Sequence, residues 1–175
     1  LIHQDMTIGG TGPHVELFND RLEITNPGQP LVLPERMIDL PPRSRNEALA
    51  SLMRRMNLCE EQGSGLDKVI ISVEVFQLPP PKFQADENFM QVTLYAPRFF
   101  AQMTVDERVR ACYQHAVIKY LSGERMKNAT LCERFGIETK NAAQASQVIK
   151  VALARQFIQV ADPEHPRAGY VPCWA

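Results

Sequence analysis

The chain reads as a mixed α/β (α+β) protein in two parts, a small antiparallel sheet with helices on it and then a winged helix-turn-helix. Three observations predict this. Two short alternating runs, HVELF and RLEIT, flank Asn19 and Asp20 and give a tight hairpin ending in Asn-Pro-Gly. From Thr104 onward, three helical segments precede two short strands separated by a Pro-rich loop. The charge changes with the pattern: residues 1–100 carry 9 Lys and Arg against 13 Asp and Glu (net −4), and residues 101–175 carry 10 against 7 (net +3). Domains are therefore expected at 1–99 and 100–175.

In the hairpin, Val15 and Leu17 share one face of the first strand and Leu22 and Ile24 one face of the second, while Glu16, Arg21 and Glu23 point the other way. Asn19 and Asp20 tolerate the positive φ that a two-residue turn requires. Pro27 has no amide hydrogen for a ladder bond and Gly28 permits a left-handed backbone, so Asn26, Pro27 and Gly28 make a sharp exit. Upstream, Gly9, Gly10 and Gly12 form a Gly-rich linker. Neither a Lys-Ser/Thr pair nor a helix follows them, so both nucleotide-binding glycine fingerprints fail.

Pro30, Pro34, Pro41 and Pro42 hold residues 29–43 extended on the surface. Ser44 or Asn46 then caps a helix whose apolar positions, Leu49, Leu52, Met53 and Met56, recur at the helical period, with Arg54 and Arg55 outside. Gly63 and Gly65 bracket a loop that opens a second helix, with Leu66, Val69, Ile70, Val73 and Phe76 inward. A helix start behind small residues is a candidate anion site, and an ordinary turn between packed helices has the same pattern. QLPPPKF is a stiff connector, and FMQVTLY alternates as a strand that joins the hairpin sheet.

In the second part, Thr104 or Asp106 starts a helix with Val109, Cys112, Tyr113, Ala116, Val117, Tyr120 and Leu121 inward, stopped at Ser122 and Gly123. Asn128 caps a short helix that ends at Gly136, and Ile137 folds back after it. A third helix over 139–155 places Ala145, Val148, Ile149, Ala152 and Leu153 inward. Two strands around the loop 162–169 complete a winged helix, whose third helix commonly enters a DNA major groove.

The outer face of that helix shows Lys140, Asn141, Gln144, Gln147 and Lys150, and Arg167 lies on the wing beside His165. Amides bridge adenine edges and cations reach guanine or phosphate, so the set suits duplex DNA; a solvated helix face has the same composition. Catalytic patterns are scarce. His3 and Asp5 have no nucleophile motif with them, and His14, His115 and His165 lack metal-ligand spacing. Cys59, Cys112, Cys132 and Cys173 form no CxxC pair and fit structural thiols in a reducing compartment. No run nears the roughly 18 apolar residues of a membrane span. These features predict a cytoplasmic, bacterial-style protein with no membrane partner. A chain starting at Leu1 and not Met reads as part of a longer one.

Taken in order, LIHQD, ELFNDRLEITNPG, SRNEALASLMRRMNLCEEQGSGLDKV and LPPPKF resemble the C-terminal domain of RecG-like transcriptional regulators, a group named for ATP-dependent DNA helicase RecG. The resemblance covers about residues 1–95. It implies a partial GHKL-ATPase-like two-layer sandwich, an AlbA-like domain upstream and a winged helix downstream. By that likeness Asn26 and Gly28 stand at the acidic-glycine loop, and Gly63, Ser64 and Gly65 at the lid loop over ATP. Three departures follow. The family's Asn-bearing helix lies upstream of Leu1, Gln4 and Met6 replace an Arg and a Tyr, and NPG brings no carboxylate for adenine or Mg2+. No motor motif is present. The expected function is a DNA-binding regulator whose GHKL-like domain is scaffold or ligand sensor, with no cofactor in this piece. The rivals are an ATP-binding or ATP-hydrolysing protein, using ATP and Mg2+ at a site completed upstream of Leu1, and an interaction module forming a homo-oligomer.

Overall fold

The computed structural model of the chain describes residues 2–10, 12–41, 43–59 and 65–175. The chain divides into two compact units. One is Leu1–Val69 with Pro81–Ala96, the other Ile70–Pro80 with Pro97–Ala175. With antiparallel pairing throughout and helices kept apart from strands in sequence, the architecture is α+β.

The first unit is built on a four-stranded sheet in the order β1-β2-β4-β3, from β1 His14–Leu17, β2 Arg21–Pro27, β3 Lys82–Ala85 and β4 Phe89–Tyr95. The β1–β2 register puts Val15 opposite Ile24 and Leu17 opposite Leu22, so the alternation read from the sequence sets the apolar face. Asn19 and Asp20 make the turn without positive φ, against expectation. Phe18 N–H donates to the Arg21 carbonyl at 2.9 Å, Ala96 N–H to that of Asp20 at 2.9 Å, and the Arg21 guanidinium lies 3.9 Å from the Phe18 ring centre. Those contacts hold the turn by other means than a mirror-image backbone.

The segment 29–43 is not simply extended: Pro34–Arg36 is a 3-10 turn, Arg36 clamps Asp39 at 2.6 Å, and Ile38 is buried. Helix α1, Glu47–Arg55, starts after Asn46 without a side-chain cap, and Asn46 Nδ2 donates to the carbonyls of Ile2 and Gln4. Its apolar stripe is only partly covered. Ala50 is buried, whereas Leu52 and Met56 are 54% and 60% exposed. Helix α2, Gly65–Val75, begins as the sequence predicts and buries Ile70 and Val73; Phe76, expected inward, is 72% exposed beyond its end.

The second unit holds helices α3 Val105–Leu121, α4 Asn128–Phe135 and α5 Ala143–Ala154, then the hairpin β5 Ile158–Val160 and β6 Tyr170–Pro172. Its core runs from Met103 through Val109, Cys112, Ala116, Leu131, Phe135, Ala145, Val148, Ile149 and Ala152 to Ile158. Thr104 caps α3: its hydroxyl accepts from Glu107 N–H at 3.2 Å, and Glu107 answers at 2.7 Å. Tyr120 and Leu121, expected inward, are 41% and 47% exposed, because the last turn of α3 runs past the core. Gly136 closes α4 at φ +63°. Asn128 does not cap it; its amide donates to the Ala142 carbonyl and Ser146 Oγ, and Thr130 serves the end instead. The predicted third helix is shorter: Thr139–Asn141 is a separate 3-10 turn before α5.

Residues 70–80 are fastened within this unit by polar contacts. His115 Nδ1 lies 3.0 Å from Glu74 Oε2, Arg134 donates to the Leu78 carbonyl at 2.8 Å, and Gln77 to that of Glu133 at 3.1 Å. Burial lowers the pKa of Arg134, with Glu74 opposing that shift. Burial also pushes the Cys112 thiol up to about 12, as befits a structural thiol.

Candidate functional site

Two places merit attention, one in each unit. In the first, the exit from β2 lines a cavity of about 250 Å³. Asn26, Pro27 and Gly28 form one side, Leu31, Met37, Leu40 and Met90 supply apolar wall, and Leu66, on the first turn of α2, closes another side. His3 and Arg43 bring the basic groups.

The turn is strapped from three directions. Gly28 N–H donates to the Asn88 carbonyl at 2.8 Å, Asp5 N–H to the Pro27 carbonyl at 2.9 Å, and Arg45 Nη2 to the Gln29 carbonyl at 2.8 Å. Arg45 also pairs with Asp5 at 3.3 Å, while Asn46 holds the carbonyls of Ile2 and Gln4 at 2.8 Å each. The Ser-Arg-Asn triplet at 44–46 thus ties the segment around Asp5 to the NPG turn. Hydrogen bonds from the Thr7 side chain and backbone hold the Asp5 carboxyl below its usual range. Burial lowers the pKa of His3, and the charge of Arg54 adds to that shift.

One polar atom of a lining residue is left over. Asn26 Oδ1 is buried and accepts no hydrogen bond among the described residues. A buried unpaired acceptor costs about 1–3 kcal/mol. Among the described residues the lining contains no carboxylate, and no group of three or more His, Cys, Asp and Glu side chains able to hold a metal occurs. That lining does not by itself fit Mg2+. Of the residues expected at a lid loop, Gly63 and Ser64 lie outside the described residues. Gly65 opens α2 with free space where a Cβ would stand, so packing does not require glycine there.

In the second unit the expected DNA-facing residues divide. Gln144, Gln147 and Lys150 are exposed on α5, away from its buried Ala145, Val148, Ile149 and Ala152. Lys140 and Asn141 are exposed but sit on the preceding 3-10 turn, where Lys140 pairs with Glu138 at 2.6 Å. Arg167 is exposed on the turn Pro166–Ala168 between β5 and β6, and His165 pairs with Asp162 at 3.0 Å. Beside α5 lies a cavity of about 440 Å³ that no local pattern marks, since its wall joins residues about 40 positions apart. No helix among the described residues is long and apolar enough to cross a membrane.

No curated protein is detectably similar to the chain. Among solved structures, the DIP2311 protein from Corynebacterium diphtheriae is similar in fold, with a TM-score of 0.51 at 19% identity. The match covers 99% of this chain and 33% of that one, so the chain spans about a third of the length of that protein. Residues 10–94, just under half of the chain, match the family described as "Putative ATP-dependent DNA helicase recG C-terminal". The match takes in the hairpin, the NPG turn, the Ser-Arg-Asn triplet, both helices of this region and the third and fourth strands. The sheet-bearing part of the chain is thus similar to a RecG-related, ATPase-type C-terminal domain.

Proposed function

We propose that the chain is the DNA-contacting part of a regulator, in which the second unit is a winged helix that binds duplex DNA through α5 and the hairpin. The observation that carries this reading is the row Gln144, Gln147 and Lys150, presented to solvent by a helix whose opposite face is locked into a core. Amides at that spacing address base edges, and Lys150 addresses phosphate. Lys140, Asn141 and Arg167 flank the row from the two adjoining turns.

Fluorescence anisotropy with a labelled duplex at low and moderate salt is the test. Wild type is expected to bind with a steep salt dependence, and Lys140→Ala with Lys150→Ala to weaken binding to all sequences and flatten the salt slope by about 2, one per lost phosphate contact. Salt-independent binding, or an unchanged slope in the double variant, rejects the reading.

A second reading attaches to the first unit: a nucleotide-type ligand occupies the NPG cavity, with Asn26 Oδ1 accepting from an exocyclic amine and His3 and Arg43 facing its anionic end. Its support is the unpartnered Asn26 carbonyl and the similarity of residues 10–94 to an ATPase-type domain. Titration calorimetry with adenosine, ADP and Mg-ATP tests it. Heat with wild type that Asn26→Ala abolishes is the expected result. Silence with all three ligands leaves the first unit as scaffold.

A further inference from the structure

We infer that the cavity between the start of α3 and the flank of α5 binds a small aromatic carboxylate, whose occupancy competes with DNA for Gln144 and Gln147. The competition rests on the DNA reading above; the binding does not.

The cavity measures about 440 Å³, within the range of small-molecule sites. Val105 and Val109 from α3 face Val148 and Val151 from α5, with Phe100 at one end. The polar residues of the lining are Gln144, Gln147 and Arg108. A cavity lined by β-branched side chains from two helices suits a rigid apolar body such as an aromatic ring, which loses less freedom on binding than a flexible chain. Val105 is 51% exposed at its mouth, apolar surface that an occupant would cover.

Arg108 decides the charge of the ligand. Its Nε and Nη2 donate to the Phe100 carbonyl at 3.2 and 3.0 Å, Nη2 also reaches the Ala101 carbonyl at 3.2 Å, and the guanidinium lies 4.2 Å from the Phe100 ring centre. The group is thereby held in one place, and Nη1 makes no hydrogen bond among the described residues. The two nearest acids in sequence are taken: Asp106 pairs with Arg155 at 2.5 Å and Glu107 with Arg98 at 2.6 Å. Arg108 has no carboxylate partner among the described residues, so a fixed, uncompensated cation borders an apolar slot. An anion carried on an apolar body satisfies both, one carboxylate oxygen accepting from the Nη1 group that the backbone carbonyls leave over. Gln144 and Gln147 then serve two masters, the ligand on one side and base edges on the other.

Titration calorimetry on the whole chain with 2-naphthoate and its uncharged analogue 2-naphthamide tests the site. The expectation is one-to-one binding of naphthoate at least tenfold tighter than naphthamide, lost in Val151→Trp, which fills the slot. Far-UV circular dichroism and the melting temperature check that this variant folds; if it does not, the naphthoate-to-naphthamide ratio in wild type still decides. Equal affinities, no heat with naphthoate, or full binding by folded Val151→Trp overturns the site. In the anisotropy assay, naphthoate at ten times its own Kd should raise the apparent Kd for DNA about elevenfold if the two exclude each other. Ligand binding without that rise overturns the competition alone. A chain that binds naphthoate but no DNA overturns the DNA reading and leaves the cavity assigned.

Discussion

Gly28 stands at φ +95°, and the Arg45 guanidinium and Asp5 Cβ occupy the space a side chain would need. Both restrictions act together, one on the backbone and one on volume. The first was legible in the sequence, because Pro followed by Gly at the end of an alternating run admits few other readings. The second was not, since Arg45 comes 17 residues later and its partner Asp5 precedes the hairpin. Asn46 illustrates the limit well. An Asn before a helical run is a sound cap candidate, yet its amide serves carbonyls more than 40 residues upstream, a contact no local rule contains. The orphaned Asn26 carbonyl is of the same kind. Sequence marks the residue, and only the surrounding backbone decides whether its oxygen finds a donor.

At the scale of elements, local rules read best where a helix carries its own boundary signals. Thr104 and Glu107 form the S/T-x-x-E box that starts α3, and Gly136 ends α4. They read worst where an amphipathic stripe has little to pack on, as in α1, whose Leu52 and Met56 stay exposed. Burial in fact pushes the Glu107 carboxyl upward, but hydrogen bonds from Thr104 N–H and the Arg98 guanidinium outweigh it, so the net shift is downward. A lowered folded pKa means that this stabilisation is present above the ordinary carboxylate range and is lost as pH falls through the folded value. Glu107→Gln is therefore expected to cost about 1–3 kcal/mol near neutral pH, the scale of hydrogen bonds to a charged group. In urea unfolding at a series of pH values, the gap between wild type and variant should narrow as pH falls below the ordinary glutamate range, about 4.3. A gap that does not narrow at all as the medium is acidified through that range would show that the charge on Glu107 contributes nothing.

For the whole molecule, burial is unevenly shared. The contiguous buried cluster lies between Met103 and Ile158, all in the second unit, whereas the buried apolar residues of the first unit's sequence are few, chiefly Ile38 and Ala50 beside prolines. The sheet's apolar face, Leu22, Ile24, Val92 and Leu94, is only half-buried, and Leu17 at its edge is 83% exposed. Apolar area removed from water supplies most of the favourable free energy of folding, at about 25 cal/mol per Å². The first unit should accordingly open at lower denaturant than the second. The protein carries a convenient reporter, for its single tryptophan, Trp174, belongs to the second unit, donating to Tyr113 Oη at 3.0 Å and resting edge-on against Tyr120. Amide exchange read by mass spectrometry on peptides spanning 14–27 and 89–95 reports the sheet. Protection of those peptides should disappear at a urea concentration below the Trp174 fluorescence midpoint. Coincident transitions would mean that the chain unfolds as one cooperative body, and the difference in core size would then carry no weight in its stability.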